Sequence, residues 1–304
     1  MSKKPVTDIG ASVRERLKQK ADSLGYDFQF ILTTYALDRL LYRLACSKYH
    51  DRFILKGAQL FNAWYHQPVR SSMDADMLGK GDSDVSIWVG IFRDICRVEV
   101  EPDGLIFLPD TVLGIEISEN LEYQGVRITL IAGLSDARIH LQIDIGFGDA
   151  VFPPPEKIVL PSLLNLPATS VKAYTPYTVI AEKYQAMVDK GLANGRLKDY
   201  YDIWYISRHS KLDGLSLSKS IAITFNRRRT KLPESLPEGL GDYFAEDNAK
   251  RRQWTGFLKK SKPNETCELD AAIKEIRMLL MPVVESLVEK KPFNKVWHAG
   301  QGWR

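Results

Sequence analysis

Cysteine is scarce: Cys46, Cys96 and Cys267 are the only three in 304 residues. They lie far apart and form no metal-ligand spacing, which excludes a cysteine-based metal site. No apolar run approaches the roughly 18 residues needed to span a bilayer. No signal peptide opens the chain, so a reduced, cytoplasmic setting is expected. There is no internal repeat and no low-complexity tract. Charge of one sign is also lacking. The 42 Lys and Arg against 38 Asp and Glu leave a net charge of +4. That mild bias is not the signature of a dedicated nucleic-acid binder.

What is present is ordinary soluble composition, 44% hydrophobic and 26% charged. The length suits one large domain or two of moderate size, each with a sizeable core. Basic residues cluster in the last third, at Arg227, Arg228 and Arg229, at Lys250, Arg251 and Arg252, and in "KKSK" from Lys259. A solvated surface and a phosphate-binding surface both fit these runs.

The periodicity divides the chain into four parts. An N-terminal helical segment occupies 1–50, where Leu37, Leu40, Leu41 and Leu44 share one face. An α/β block occupies 51–151. It holds "FILKGA" with its permissive glycine, a helix over "QLFNAWY", and an amphipathic helix within 83–98. Strands follow at "GLIFL", "VLGIEI", "VRITLIA" and "RIHLQIDIGF". In the last, Ile139, Leu141, Ile143 and Ile145 point one way and His140, Gln142 and Asp144 the other. Residues 152–176 carry six prolines and read as a connector, not as a central strand. Residues 177–304 read as helical to the end, apart from a Pro/Gly-rich loop at 232–241.

Asp74 and Asp76, in "SSMDADML", share one face of a strand, with Met73, Ala75 and Met77 directed to a core. Two carboxylates this close repel unless a cation or proton lies between them. Mg²⁺ would resolve the conflict, since it takes one or two carboxylates and completes its shell with water and substrate phosphates. Alone, the pattern is better explained by a solvent-facing edge strand. Three features shift the balance. Lys56 and Gly57 stand at a strand-to-helix turn, where backbone N–H groups can hold phosphate. Asp144 offers a third carboxylate, able to ligate metal and to receive a proton from an attacking hydroxyl. "GFGDA" follows it, so Asp149 competes for that role. Lys183 lies on an apolar helical face beside Ile180, Tyr184 and Met187, and needs an anionic partner there. Asp199 and Asp202 share a face of the next helix, where pairing of Asp202 with Lys198 is the ordinary explanation.

Together "FILKGAQLFNAW", "SSMDADML", "QIDIGFGDAV" and "VIAEKYQAM…NGRLKDYYDIW" resemble, in order, the AbiEii-type nucleotidyltransferase toxin family. "AITFNRRRTKLP", "RRQWTGFL" and the tail "VWHAGQGW" extend the resemblance to Trp303. It implies an α+β fold: a DNA polymerase β-like nucleotidyltransferase core, a mixed sheet with flanking helices, followed by a helical C-terminal domain. It also implies the toxin half of a toxin–antitoxin, phage-defence pair, with an antitoxin of protein or RNA as partner. Members transfer a nucleotide from an NTP, and some modify the 3′ end of tRNA and so stop translation.

By this resemblance Asp74 and Asp76 are the pair expected to bind Mg²⁺; Asp144, or Asp149, read from the strand pattern, is expected as further ligand and base. Lys183 meets the triphosphate, and Asp202, or Asp199, positions Lys183 or the nucleotide. The phosphate turn departs from the pattern. It reads Gly57-Ala58-Gln59, without the usual hydroxyl, so backbone amides and Ser71 or Ser72 would hold the phosphates. The basic runs are expected to guide RNA. Transfer to a protein or small-molecule acceptor is one alternative, and a non-catalytic binding module is another.

Overall fold

The computed structural model describes residues 8–65, 69–120 and 123–304. The chain divides into two compact units. One comprises Met1–Gly148 with Lys157–Ala173, the other Asp149–Glu156 with Tyr174–Arg304.

The first unit opens with two helices where periodicity predicts one. Helix α1 (Ile9–Leu24) starts where the Asp8 side chain accepts the Ala11 N–H, and stops at Gly25 in the left-handed region. Helix α2 (Phe28–Cys46) restarts on the Asp27 side chain, which accepts the Phe30 N–H. A short strand β1 (Phe53–Lys56) leads to helix α3 (Gln59–Tyr65) and strand β2 (Asp74–Gly79). Helix α4 (Val85–Cys96) buries Trp88, Ile91, Phe92 and Ile95, the face expected from sequence.

Three long strands then meander, β3 (Leu105–Asn120), β4 (Tyr123–Leu134) and β5 (Ala137–Phe147). The two strands expected at 105 and 112 are one, with a register shift between Leu108 and Leu113. The proline-rich stretch contributes β6 (Glu156–Leu160) and β7 (Thr169–Ala173). Its prolines do not prevent this, because none falls between residues 169 and 173.

These strands form one sheet in the order β3-β4-β5-β2-β1-β7-β6. It is mixed: β2 runs parallel to β5 and β1 parallel to β7, while β1 and β2 are antiparallel. Helices α2 and α4 pack on it. Phe53 meets Trp88 and Phe92 edge-on at 5.3 and 5.8 Å. Ala75, Met77, Ile139, Leu141, Ile143 and Ile145 are buried in this layer. Met73 is the exception to its predicted inward face. It is half exposed because β2 begins one residue later.

A buried ion cluster fixes α2 in place. Arg43 grips both Asp103 oxygens, at 2.6 and 3.1 Å, and Arg39 Nε reaches the same carboxylate at 3.3 Å. Tyr35 donates to the Asp103 carbonyl at 2.7 Å, and Arg39 to the Pro167 carbonyl at 2.9 Å. All three charges are buried.

The second unit is helical. Helices α5 (Pro176–Lys190) and α6 (Leu197–His209) come first, then strand β8 (Leu212–Asp213) and helix α7 (Gly214–Arg227). Helices α8 (Asp242–Glu246), α9 (Asn248–Ser261) and α10 (Leu269–Val288) follow. The tail is not helical as expected: β9 (Val296–His298) and β10 (Gly302–Trp303) join β8 in a three-stranded sheet. Trp297 Nε1 donates to the Ser207 carbonyl and Trp303 Nε1 to the Leu279 carbonyl, which pins the tail. The three cysteines are unpaired. Among the described residues no helix is long and apolar enough to cross a membrane.

Removing the shared anion of the buried cluster strands two guanidinium groups. Asp103→Ala should therefore cost about 3–5 kcal/mol in urea denaturation, far more than an exposed pair. A loss under about 1 kcal/mol would mean that water reaches the arginines.

Candidate active site

The site face is built by strand register. Asp76 of β2 is paired with Asp144 of β5, and Asp74 with Gln142. Directly paired residues share a face, so the parallel β2–β5 pairing sets three carboxylates side by side. One oxygen from each of Asp74, Asp76 and Asp144 lies within 4.8 Å of the others. All three side chains are half-buried. Carboxylate oxygens suit a hard divalent ion such as Mg²⁺, so the donor set fits the metal that the sequence implies.

The neighbouring turn is shaped around the same acids. Lys56 pairs with Asp76 across β1 and β2. Gly57 follows with φ +77°, the left-handed region. A Cβ added there would lie 2.1 Å from Asp76 Oδ2, so the close approach needs glycine for room as well as for conformation. Ser72, expected to hold phosphate, donates to Asp74 Oδ1 at 2.5 Å. A small recess beside it is lined by Phe30, Thr34, Ala58, Gln59, Asn62, Arg70 and Ser72.

Asp144 is held from the opposite side. Arg127 of β4 pairs with it across the ladder. Its Nε donates to Asp144 Oδ1 at 2.8 Å and its Nη2 to Oδ2 at 2.7 Å. These bonds hold the Arg127 guanidinium above its ordinary pKa. Gln142 Nε2 adds contacts of 3.2 and 3.3 Å to the same carboxylate. Asp149 belongs to the second unit, where it accepts from Arg228 Nη2 at 3.1 Å.

In the second unit Lys183 of α5 has the anionic partners its position demands. Its ammonium binds Asp199 Oδ1, and Asp202 Oδ2 at 2.9 Å. Arg196 Nε reaches Asp199 at 3.3 Å. Both aspartates are fully buried. The i, i+3 spacing on α6 presents them as a pair to one lysine, so Asp202 is occupied by Lys183, not only available to Lys198.

The basic runs are divided. Arg228 is turned inward onto Asp149, Glu182 and Gln185, with Gln185 Oε1 at 2.9 Å. Lys250 is half-buried and donates to the Asn194 carbonyl at 2.7 Å. Arg227, Arg229, Arg251 and Arg252 are exposed. Arg251 also donates to the Ala245 carbonyl at 3.0 Å.

Sequence reasoning put Gln142 on the face of Asp144 without giving it a part, and missed Arg127. Both lie on the polar face of alternating strands, and the turn between β4 and β5 contains the register that brings Arg127 to Asp144. No pattern marked Asn62 or Arg70, which meet Gln59 of the phosphate turn only through the fold.

Two substitutions check this geometry. Gly57→Ala should lower stability by about 1–3 kcal/mol in urea denaturation, through backbone strain and displacement of Asp76. An unchanged midpoint would show that the turn tolerates a side chain. Lys183→Met removes the one cation that buried Asp199 and Asp202 share, and should cost about 3–5 kcal/mol. A surface lysine would instead tolerate the change, so an undiminished melting temperature rules out the buried pairing.

The family model for the AbiEii nucleotidyl transferase toxin of type IV toxin–antitoxin systems matches residues 39–275. JHP933 from Helicobacter pylori, a crystal structure, is similar at 14% identity and a TM-score of 0.50, over 87% of this chain and 95% of that one. A second H. pylori crystal structure, of a protein provisionally named a nucleotidyltransferase, gives 14% identity and a TM-score of 0.50 over 87% and 98%. At that identity the likeness concerns the fold alone. No curated protein matches the sequence. With most of its length matched, the chain belongs to the AbiEii family of nucleotidyl transferase toxins of type IV toxin–antitoxin systems.

Proposed function

We propose that the protein transfers a nucleotide from an NTP to an acceptor in a Mg²⁺-dependent reaction, and that the acceptor is the 3′ end of tRNA. Loss of a usable tRNA end would block translation and account for toxicity. The observation that carries this reading is the convergence of Asp74, Asp76 and Asp144 on one face of the sheet. In this reading the mixed sheet is a DNA polymerase β-like core, and the helical second unit is its C-terminal domain.

Asp74 and Asp76 would hold the metal, with Asp144 as a further ligand. Bound there, Mg²⁺ would supply charge neutralisation for the transferring phosphoryl group. Ser72 keeps Asp74 oriented through its hydroxyl. Asp144, steadied by Arg127 and Gln142, accepts the proton of the attacking acceptor hydroxyl at a carboxylate oxygen. The turn at Gly57 offers backbone N–H groups to phosphate. Lys56 stands beside Asp76 as a compact cation for the same charge.

The role of Lys183 in meeting triphosphate charge rests on the likeness of its motif. Its support is that Asp199 and Asp202 both bind its side-chain nitrogen and hold it in one place. Exposed Arg227, Arg229, Arg251 and Arg252 are the assigned contacts to RNA phosphate. Family membership implies an antitoxin that counters the effect of this activity.

Asp74→Asn and Asp76→Asn should each lower nucleotide transfer at least about a hundredfold. Melting temperature should hold or rise slightly, because one of three mutually repelling charges is gone. The measurement is incubation of the pure protein with each labelled NTP, Mg²⁺ and total cellular RNA, followed by identification of the labelled species. Transfer at the wild-type rate by either variant would refute the metal assignment. Label in protein or in a small molecule would replace tRNA as acceptor.

A further inference from the structure

The face that carries the acids also carries a cation that the family motifs leave unused. Four strands place Lys56, Asp76, Asp144 and Arg127 in one transverse row, each paired with the next. Two acids are thus enclosed between two cations. At the outer end, the Arg127 fork already engages both oxygens of Asp144, at 2.8 and 2.7 Å, and Gln142 approaches both. Yet Asp144 also presents an oxygen to Asp74 and Asp76 within the 4.8 Å cluster. One carboxylate is therefore claimed from two directions, by an arginine of the chain and by whatever cation the three acids would share.

These claims oppose each other. A carboxylate has lone pairs enough to accept from both sides, but a guanidinium and a divalent ion on one carboxylate repel. With no divalent ion, Arg127 offsets the repulsion among the three acids. With one, the arginine becomes a like charge beside it. The Arg127 side chain is 36% exposed against 18% for Asp144, so the arginine is the partner with room to move.

We infer that Arg127 is a built-in counter-ion of the acidic cluster. It holds Asp144 while the cluster lacks a divalent ion and yields an Asp144 oxygen when one binds, so it sets how tightly that ion is held. Arg127 is on this account a positioning residue, acting through Asp144. The inference rests on the metal reading of the three acids.

The test is calorimetric titration of Mn²⁺ into the nucleotide-free full chain. Arg127→Gln should bind Mn²⁺ at least about tenfold more tightly than wild type, a 1.4 kcal/mol difference. Arg127→Lys keeps the charge without the two-pronged grip, and should tighten binding about threefold. In an Asp144→Asn background the Arg127→Gln effect should vanish, since the two residues act as one unit. Unchanged Mn²⁺ affinity in the Gln variant would overturn the counter-ion role and leave the metal reading standing, because an ordinary cross-strand pair would alter stability alone. Should the Gln variant fail to fold by circular dichroism, the Lys variant decides, and wild-type affinity there overturns the role. A wild-type chain that binds no Mn²⁺ overturns the metal reading and this inference together.

Discussion

Mutual repulsion of three carboxylates is the constraint around which the first unit is organised. Parallel pairing of β2 with β5 makes Asp74, Asp76 and Asp144 neighbours, and a sheet offers no freedom to separate them. Each acid is therefore given its own restraint. Ser72 donates to Asp74, Gly57 clears the space beside Asp76, and Arg127 with Gln142 holds Asp144. The opposite face is apolar and packed against helices, so the strain of gathered charge is confined to one side of the sheet.

Charge is handled differently where it is buried. Asp103 with Arg39 and Arg43, and Lys183 with Asp199 and Asp202, are each enclosed among packed side chains with opposite charges in contact. Such clusters add little net stability over a well-packed apolar core, but they penalise every arrangement that separates the partners. The first ties α2 to the chain ahead of β3. The second fixes α5 to α6. Both therefore define where elements sit, whereas the cluster of three acids defines what those elements can bind.

Much of this was legible in the sequence, and the reasons are local. The alternation in "RIHLQIDIGF" is a direct record of one buried and one polar face, and it placed Asp144 correctly on the polar one. The spacing of Trp88, Ile91, Phe92 and Ile95 likewise records a packed helix. What escaped was set by pairing between distant segments. The break at Gly25 and Asp27 lay inside an otherwise helical pattern. Strand β7 was hidden because prolines on both sides disguised five residues that contain none. Arg127 could have been found: the turn at Ser135 and Asp136 matches each step back along β4 with one step forward along β5, which ends with Arg127 opposite Asp144. The tail strands could not, since β9 pairs with a two-residue β8 far earlier in the chain.

Strand β7 has a consequence for how the molecule is made. It lies between β1, whose other neighbour is β2, and the edge strand β6. Before reaching it the chain leaves the first unit at residue 149 and returns at residue 157. A ribosome must therefore deliver residues 169–173 before β1 gains its second partner. Until then β1 is an open edge, able to pair with any extended segment nearby. The unit that carries the acids is thus finished only after part of the second unit has already been synthesised.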